Sequence, residues 1–463
     1  MEKKIKPYEE YKETGLPWLD KVPKQWEIKR AKAVYKKESR AVSDTDGVIT
    51  CFRDGVVTLR KNRRISGFTE SIKEIGYQGV RKGDLVIHVM DAFAGAIGVS
   101  DSDGKSTPVY SVCNPKVDLN NYYYAHIVRE MAKTGFIQSL YRGIRERSSD
   151  FRFETFANQY LPIPPKKEQD QIVRYLDTEL SKINKFIKSK KKQIQLLKEQ
   201  KQAIINQAVT KGIDLDAKMK PSGIDWLGDI PEGWEVRPLK HFVKSNIETL
   251  TESFDKNATI NYIDISTVGF GELKLEPVQY VFKEAPSRAR RVIHVGDTII
   301  STVRTYLKSM CYIDEELEGY IASTGFAVLT PSKEVFSKFL NYILSADYFV
   351  NMVSQNSIGV SYPAITESKL VTLKIAISPD IEEQKEILQY IKPKTIVIDK
   401  AIVAIKKEID LITEYRTTLI SNVVTGKVDV RHIEVEDIID SIEEDFEDLD
   451  EGELIEELEM EEE

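Results

Sequence analysis

The sequence has few of the residues that build disulfide frameworks, metal centres and membrane spans. Its 463 residues include 3 cysteines and 5 histidines, and neither set shows the spacing of metal ligands. Scattered cysteines are typical of a reducing compartment. No stretch approaches the roughly 18 apolar residues of a membrane-spanning helix, and residues 1–4 lack the apolar core of a signal peptide. We therefore expect a cytoplasmic protein without a bound metal.

The motifs of nucleotide-binding and methyl-transferring enzymes are missing as well. Gly104, Lys105 and Ser106 come nearest to a phosphate-binding loop, but Val99 stands where that loop needs glycine, so they predict a polar turn. A faint nuclease-like carboxylate cluster at 379–385 lies at a predicted helix start, where acidic residues stabilise the helix dipole. There is no Asn-Pro-Pro-aromatic element of the type that amino-methyltransferases use. We expect recognition rather than catalysis, with no cofactor in this chain.

The formal net charge of −8 conceals three blocks of different sign. Residues 434–463 hold 18 acidic and no basic residues, and residues 1–433 hold 66 basic against 56 acidic ones. The excess of positive charge lies in 1–220, with 42 basic and 28 acidic residues, whereas 221–433 has 24 and 28. Asymmetry of this kind favours a polyanionic partner for the first half and an interaction role for the tail.

Two pairs of segments show that the chain repeats itself. Residues 14–32 and 222–240 share 7 of 19 positions and contain all 4 tryptophans. Residues 168–215 align without a gap to 383–430, with 16 identities in 48. A Gly-Asp pair before an apolar run also recurs, at 83–84 and 296–297. A period of about 210 residues indicates two copies of a whole domain and its connecting element, and we expect the tryptophans to anchor the segment that enters each domain.

The longer repeat predicts two long helices. Prolines at 162, 164 and 165 mark the start of the first, and neither proline nor glycine follows until Gly212. Apolar residues recur at heptad spacing, and Lys190, Lys201, Thr395 and Arg416 interrupt the pattern. The predicted seam residues are Leu176, Leu180, Ile183, Ile187, Ile194, Leu197, Ile204, Ile391, Ile398, Ile402, Ile405, Ile409, Ile412 and Leu419.

Each predicted seam is a single apolar stripe that needs a partner, and the other copy is the nearest one. We expect an antiparallel coiled coil, about 65 Å long for roughly 43 helical residues. Pro393 should kink or restart the second helix. The alternative is that both are ordinary core helices of large domains.

These elements divide the chain into five parts. The two copies are predicted to be α/β (α+β) domains, because short β-rich runs (47–52, 84–89, 260–265, 292–301 and 322–329) alternate with helical ones (123–134 and 335–353). The predicted parts are a first domain at 1–160, a central spacer helix at 161–212, a second domain at 213–375, a distal spacer helix at 376–430 and an acidic tail at 431–463.

The repeated motifs resemble those of a known family. Trp-Leu-x-x-[Val/Ile]-Pro-x-x-Trp-Glu stands at 18–27 and 226–235, and Leu-Pro-Ile-Pro-Pro-x-x-Glu-Gln at 161–169 has the counterpart Ile-Ala-Ile-Ser-Pro-x-x-x-Glu-Gln at 375–384. In this combination the chain resembles, over about residues 10–430, the specificity (S) subunit of a Type I restriction–modification system. The acidic tail has no counterpart in the resemblance.

The resemblance implies two target-recognition domains held apart by an antiparallel helix pair, each reading one half of a split DNA sequence. The helices would act as a ruler and dock two modification (methyltransferase) subunits. Those partners would supply S-adenosylmethionine binding and adenine methylation, and restriction/translocase subunits would supply ATP/Mg-driven translocation and cleavage. Half-sites about one helical turn apart are expected by analogy with other two-domain readers.

Candidate DNA contacts are the basic and amide side chains of polar, glycine-containing stretches, since Lys and Arg bind phosphates while Arg, Asn and Gln read bases. In the first domain they are Arg60, Lys61, Arg63, Arg64, Arg81, Arg142, Arg145, Arg147 and Arg152. In the second they are Arg288, Arg290, Arg291, Arg304, Lys308, Gln355 and Asn356. For any one of them a solvated surface charge is the alternative.

Two other functions are compatible with the pattern, a coiled-coil scaffold without sequence preference and a stand-alone DNA-modifying enzyme. The tail also has two interpretations. Its composition favours disorder, but apolar residues at near-helical spacing between 438 and 458 would suit a helix that docks on a basic face.

Overall fold

The computed structural model describes residues 6–63, 74–140, 150–214, 216–224, 226–360 and 362–435. The chain divides into two compact units, a first unit of 1–191 with 407–463 and a second unit of 192–406. Among the described residues, no helix is both long and apolar enough to cross a membrane. The acidic residues beyond 435 lie outside the described part.

The first unit combines short strands with short helices before one long helix. Its strands are β1 (Tyr11–Leu16), β2 (Leu19–Pro23), β3 (Glu27–Arg30), β4 (Tyr35–Lys37), β5 (Ile49–Cys51), β6 (Val57–Leu59), β7 (Gln78–Val80), β8 (Leu85–His88), β9 (Ile97–Val99), β10 (Gly104–Ser106), β11 (Tyr110–Pro115) and β12 (Tyr160–Ile163). Its helices are α1 (Ala31–Val34), α2 (Asn121–Lys133), α3 (Phe136–Ser139) and α4 (Phe153–Ala157), and α5 (Lys166–Lys211) begins in it.

The second unit repeats this order. Its strands are β13 (Met219–Pro221), β14 (Asp229–Pro231), β15 (Glu235–Pro238), β16 (Val243–Ser245), β17 (Thr259–Ile263), β18 (Val278–Val281), β19 (Ala289–Val292), β20 (Thr298–Ser301), β21 (Met310–Tyr312), β22 (Ile321–Ser323), β23 (Phe326–Pro331) and β24 (Lys374–Ile377). Its helices are α6 (Ser337–Ser345), α7 (Asp347–Gln355) and α8 (Glu367–Leu370), followed by α9 (Ile381–Val424), which ends in the first unit.

Each unit contains the same four-stranded antiparallel sheet. The order is β4-β11-β8-β9 in the first unit and β16-β23-β20-β21 in the second. The first residue of β8, Leu85, pairs with Val99, and the first residue of β20, Thr298, pairs with Tyr312. The prediction of two tandem α/β copies is therefore confirmed. The sheet β18-β17-β22-β19 of the second unit corresponds to the strand pairs β5-β6 and β7-β10 of the first unit, which a parallel bridge between Val48 and Lys105 connects.

The repeated Gly-Asp pair enters this sheet through a turn that its own carboxylate closes. Asp84 Oδ2 accepts a hydrogen bond from the Arg81 backbone N–H at 2.8 Å, and Asp297 Oδ2 accepts one from the His294 N–H at 2.9 Å. Both aspartates are buried. A buried carboxylate needs such partners, and this requirement explains why the residue recurs at this place in both copies.

A tryptophan and a glutamate from the two repeated motifs bond to each other in each copy. Trp26 Nε1 donates to Glu168 Oε1 at 2.8 Å, and Trp234 Nε1 donates to Glu383 Oε1 at 2.9 Å. Both indoles are fully buried. The bond ties the entry segment of each domain to the start of its long helix, as expected for a structural anchor.

The first tryptophan of the opening motif behaves differently in the two copies. Trp18 is buried, whereas Trp226 is 56% exposed and has a φ of 64°. The expectation of a packed anchor holds for Trp18 and is wrong for Trp226.

The glutamine after that glutamate joins helix and domain a second time. Gln169 Oε1 accepts from the Asn120 N–H at 2.9 Å, and Gln169 Nε2 donates to the Pro164 carbonyl at 2.8 Å. Gln384 repeats both bonds, accepting from the Phe336 N–H at 3.1 Å and donating to a carbonyl just after β24 at 2.9 Å. The Glu-Gln pair is therefore structural in both copies.

The two long helices form where the proline and heptad patterns predict them. Helix α5 starts directly after Pro165 and runs for 46 residues, and α9 runs for 44. Pro393 lies inside α9, which continues through it as one helix, so the helix does not restart there.

None of the predicted seam residues is exposed. Those that are buried are Leu176, Ile183, Ile187, Ile391, Ile398, Ile402, Ile405 and Leu419. Those that are half-buried are Leu180, Ile194, Leu197, Ile204, Ile409 and Ile412. Near the end of α5, Ile205 is buried while the predicted seam residue Ile204 is half-buried. The buried position is therefore displaced by one residue from the heptad pattern.

Within the first unit, the α5 and α9 segments run in opposite directions. Gln171 near the start of α5 donates to the Val430 carbonyl at 3.1 Å, beyond the end of α9. Further along α5, Lys190 pairs with Glu408 at 2.7 Å, well before that end. In the second unit, Lys201 of α5 pairs with Asp399 of α9 at 2.6 Å.

Candidate nucleic-acid interface

Two loops of the second unit are fastened to each other beside the sheet. One, 302–308, follows β20, and the other, 356–360 with 362–365, follows α7. Val303 and Ile358 each form an antiparallel bridge with Ala364. Thr305 Oγ1 donates to Ser357 Oγ at 2.8 Å. We call these two segments the paired loops, and their cross-links mean that they present one surface.

The first of the paired loops holds its cations in an unusual backbone conformation. Arg304 has a φ of 48° and Lys308 a φ of 54°, on either side of the 3-10 turn Thr305–Leu307. Non-glycine residues in this region cost roughly 1 kcal/mol or more each and concentrate at functional sites. The Arg304 guanidinium lies 5.0 Å from the centre of the Tyr362 ring, a cation–π contact that joins the paired loops.

The paired loops also expose large apolar side chains. Tyr306 is half exposed, and Ile358, Val360 and Tyr362 are more exposed still, with Ile358 at 85%. Single exposed apolar residues are ordinary, but several on one surface mark an interaction site. Apolar groups next to arginine are suited to base edges, where they contact the thymine methyl group. None of these four residues is among the contacts predicted from the sequence, although Gly359 between two aliphatic residues was a signal.

A third turn connects to the paired loops through the backbone. Thr302 donates its N–H to the Gly325 carbonyl at 2.8 Å, and the neighbouring Thr324 donates to the Arg288 carbonyl at 2.8 Å. Arg288 is exposed. Three stretches that are distant in sequence, around 288, 304 and 360, therefore adjoin.

Three other predicted contacts of the second unit already bond to groups of the protein itself. Arg290 pairs with Glu252 at 3.2 Å and lies over the Phe282 ring, and its side chain is 19% exposed. Arg291 donates to Thr249 Oγ1 at 2.9 Å. Asn356 donates to a carbonyl of its own helix, that of Met352, at 2.8 Å. Lys308 and Gln355 are exposed.

In the first unit, β8 is followed by a loop of the same form. A 3-10 turn, Ala92–Ala94, stands between β8 and β9 as Thr305–Leu307 stands between β20 and β21. Asp91 occupies the place of Arg304, and Gly95, with a φ of 93°, occupies the place of Lys308. The two copies therefore carry opposite charges at one equivalent position, and at the other the lysine of the second copy is replaced by an uncharged glycine, as expected if the copies recognise different ligands.

Five predicted contacts of the first unit fall within the described residues. Arg63 pairs with Asp54 at 2.7 Å and is 12% exposed, and Arg60 Nε donates to Thr50 Oγ1 at 3.4 Å. Lys61 is exposed. The remaining two are Arg81, half-buried and bonded to the Val80 carbonyl at 3.0 Å, and Arg152, exposed and paired with Asp150 at 2.6 Å.

The other four predicted contacts, Arg64, Arg142, Arg145 and Arg147, lie outside the described residues. No group of three His, Cys, Asp or Glu side chains close enough to hold a metal ion occurs in the part of the chain that the structure describes.

Comparison with known proteins places this architecture in a family. The sequence model described as "Type I restriction modification DNA specificity domain" matches residues 81–196 and 231–411. Two relatives come from Methanocaldococcus jannaschii. The Type I restriction enzyme MjaVIII specificity subunit is 28% identical over 308 residues, covering 65% of this chain and 69% of its own length. The putative type I restriction enzyme MjaX specificity subunit is 25% identical over 445 residues, covering 91% and 97%.

A solved structure shares the fold. It comes from work on complex assembly and conformational transition of the type I R-M system, and it aligns with a TM-score of 0.61 at 17% identity, covering 87% of this chain and 98% of that chain. The family match extends over more than half of the residues and spans both copies. The chain belongs to the family of Type I restriction modification DNA specificity proteins.

Proposed function

We propose that this chain is the sequence-specific DNA-recognition subunit of a Type I restriction–modification complex. Each copy reads one half of a bipartite target. The single observation that carries the proposal is the surface of the paired loops, where Arg304, Lys308 and exposed apolar side chains adjoin on a rigid sheet. Such a surface offers both phosphate contacts and base contacts, which a sequence-specific reader needs.

The long helices supply the spacing and the docking surface in this proposal. We infer an antiparallel coiled coil between α5 and α9. The opposite chain directions within the first unit and the buried seam residues support it. Two modification subunits dock on the helices, and restriction/translocase subunits join them. The chain itself is non-catalytic, and S-adenosylmethionine and ATP/Mg belong to the partners.

The test is selection of DNA from a random duplex library by the chain reconstituted with its modification subunits. The expected product is a two-part motif. Arg304→Ala should relax one half of the motif and leave the other unchanged, because Arg304 lies in one copy only. Lys283→Ala, which removes one exposed charge away from the paired loops, is the matched control and should leave both halves unchanged.

Three results would contradict the proposal. Binding without any enriched motif would favour a scaffold without sequence preference. Equal loss at both halves in Arg304→Ala would show that this residue supplies affinity and not specificity. Methyl transfer by the purified chain alone would favour a stand-alone DNA-modifying enzyme.

A further inference from the structure

A group of basic side chains meets behind the 91–95 loop of the first unit. It consists of His126, Arg129 and Arg416, which act on one another electrostatically, and we call it the cation cluster. A Cβ placed on Gly95 would lie 2.8 Å from the Arg53 carbonyl oxygen and 3.9 Å from Arg129 Nε. A Cβ placed on Gly55 would collide with the Arg129 guanidinium. A glycine in each of two turns, Gly55 and Gly95, therefore leaves room for the Arg129 side chain.

Arg416 enters this cluster from α9, where it interrupts the apolar seam. Its Nε is buried, and no hydrogen-bond acceptor faces it among the described residues. A buried guanidinium N–H without a partner costs roughly 1–3 kcal/mol. Leucine or isoleucine at this heptad position would not carry this free-energy cost, so the presence of an arginine needs an explanation.

The second copy shows how such a cation is neutralised. Lys201 is the counterpart of Arg416 in the alignment of the two helices, and it pairs with Asp399 at 2.6 Å. The counterpart of Asp399 in the first copy is Asn184. A neutral amide stands where the second copy has a carboxylate, so the matching ion pair cannot form in the first.

The acidic residues near the cation cluster are already engaged. Asp54 Oδ2 accepts from Arg63 at 2.7 Å, and Asp91 Oδ1 accepts from Arg53 at 3.3 Å. Burial lowers the pKa of Arg129 and of Arg416, and the carboxylate of Asp54 opposes this effect on both.

His126 responds to the same environment. Burial, together with the charges of Arg129 and Arg416, lowers the pKa of His126 to about 4, so that this imidazole is neutral at pH 7. Within the described part of the chain, the two guanidinium groups of the cluster therefore have no carboxylate partner of their own, in a partly buried place where an unpaired charge is costly.

We propose that the cation cluster is a phosphate-binding site, filled by a backbone phosphate when DNA occupies the first unit. This inference rests on the proposed function. Guanidinium groups bind phosphate with two parallel hydrogen bonds, and both Arg129 and Arg416 are half-buried rather than fully buried. The site would fix the register of the first copy on DNA without reading a base.

The test uses Arg416→Leu, which completes the seam and removes the unpartnered charge. We expect this variant to melt at a higher temperature than the wild type and yet to bind DNA more weakly. The slope of the logarithm of DNA affinity against the logarithm of salt concentration should fall by about 0.9, the value for one phosphate contact. The matched control is Lys201→Leu with Asp399→Leu, which alters the equivalent pair in the second copy and should leave the slope unchanged.

A second arm does not depend on DNA recognition. Inorganic phosphate, compared with chloride at equal ionic strength, should raise the melting temperature of the full chain and have no such effect on Arg416→Leu. If Arg416→Leu changes neither the salt slope nor the phosphate effect, the cluster is structural and the proposal is overturned. If only the phosphate effect depends on Arg416, free phosphate is the ligand and the assignment to DNA is overturned. If the wild type selects no DNA motif but keeps its phosphate effect, the proposed function fails and the anion site stands.

Discussion

The bonds between the repeated tryptophans and glutamates permit a matched experiment within one chain. Trp26→Phe removes the indole N–H that donates to Glu168, and Trp234→Phe removes the one that donates to Glu383. Both indoles are fully buried, but Glu168 is buried while Glu383 is half-buried. The two substitutions are chemically identical, so a difference between their effects reports on the surroundings of the carboxylates.

The structure sets the expected size of each effect. A hydrogen bond to a charged group contributes about 1.5–3 kcal/mol, and the lost ring volume adds about 1 kcal/mol. Because Glu168 is buried, solvent cannot replace the indole, although the carboxylate keeps the hydrogen bond from the Tyr8 hydroxyl at 2.5 Å. We expect a loss of about 3 kcal/mol for Trp26→Phe, and about 2 kcal/mol for Trp234→Phe, where solvent reaches the carboxylate.

The assay is urea unfolding followed by far-ultraviolet circular dichroism, with calorimetry to resolve the transitions of the two units. Trp26→Phe should destabilise the transition of the first unit and Trp234→Phe that of the second. Equal losses, or a loss below about 0.5 kcal/mol for Trp26→Phe, would refute the view that the buried Trp–Glu bond holds the domain to its helix.

Two further predictions concern the loop after β20 and the turn before it. Lys308→Gly should stabilise the second unit by about 0.5–1 kcal/mol, because glycine tolerates the left-handed backbone there, and it should weaken DNA binding. The reverse test, Gly95→Ala, should destabilise the first unit. Melting temperatures equal to that of the wild type would contradict both predictions. The protonated ring of His294 donates hydrogen bonds to Glu318 at 2.7 Å and Glu248 at 3.0 Å, and these bonds raise its pKa. His294 therefore contributes its full stabilisation below the pKa that it has in the unfolded chain, and this stabilisation is lost as pH rises through its higher pKa in the folded protein. The difference in melting temperature between wild type and His294→Gln should shrink from pH 6 to pH 9. A constant difference would contradict this prediction.

The sequence was most informative where a pattern repeats. The heptads and the prolines before them located α5 and α9, and the duplicated Trp and Glu-Gln motifs indicated two equivalent domains. The Trp and the Glu of these motifs bond to each other, which is why the two motifs recur together in both copies. The heptad rule failed at Ile204, since the buried position there is Ile205.

The candidate site was predicted only in part. Clusters of arginine drew attention to Arg288 and Arg304 but also to Arg290 and Arg63, whose side chains the fold engages in ion pairs. Exposure of Val360 and Tyr362 could not be inferred, because it depends on a bridge between loops that are some 60 residues apart in sequence. Likewise, the sequence could not predict that Arg416 Nε has no hydrogen-bond acceptor among the described residues, because this depends on which residue of α5 faces it.

The most direct test of the central claim is a map of methylated adenines in the genome of a cell that carries the reconstituted system. We predict a bipartite motif. When residues 1–160 are exchanged for those of a relative with a different target, one half of that motif should change while the other half and the spacing persist. A change in both halves, or methylation without a bipartite motif, would contradict the claim that each copy reads one half-site.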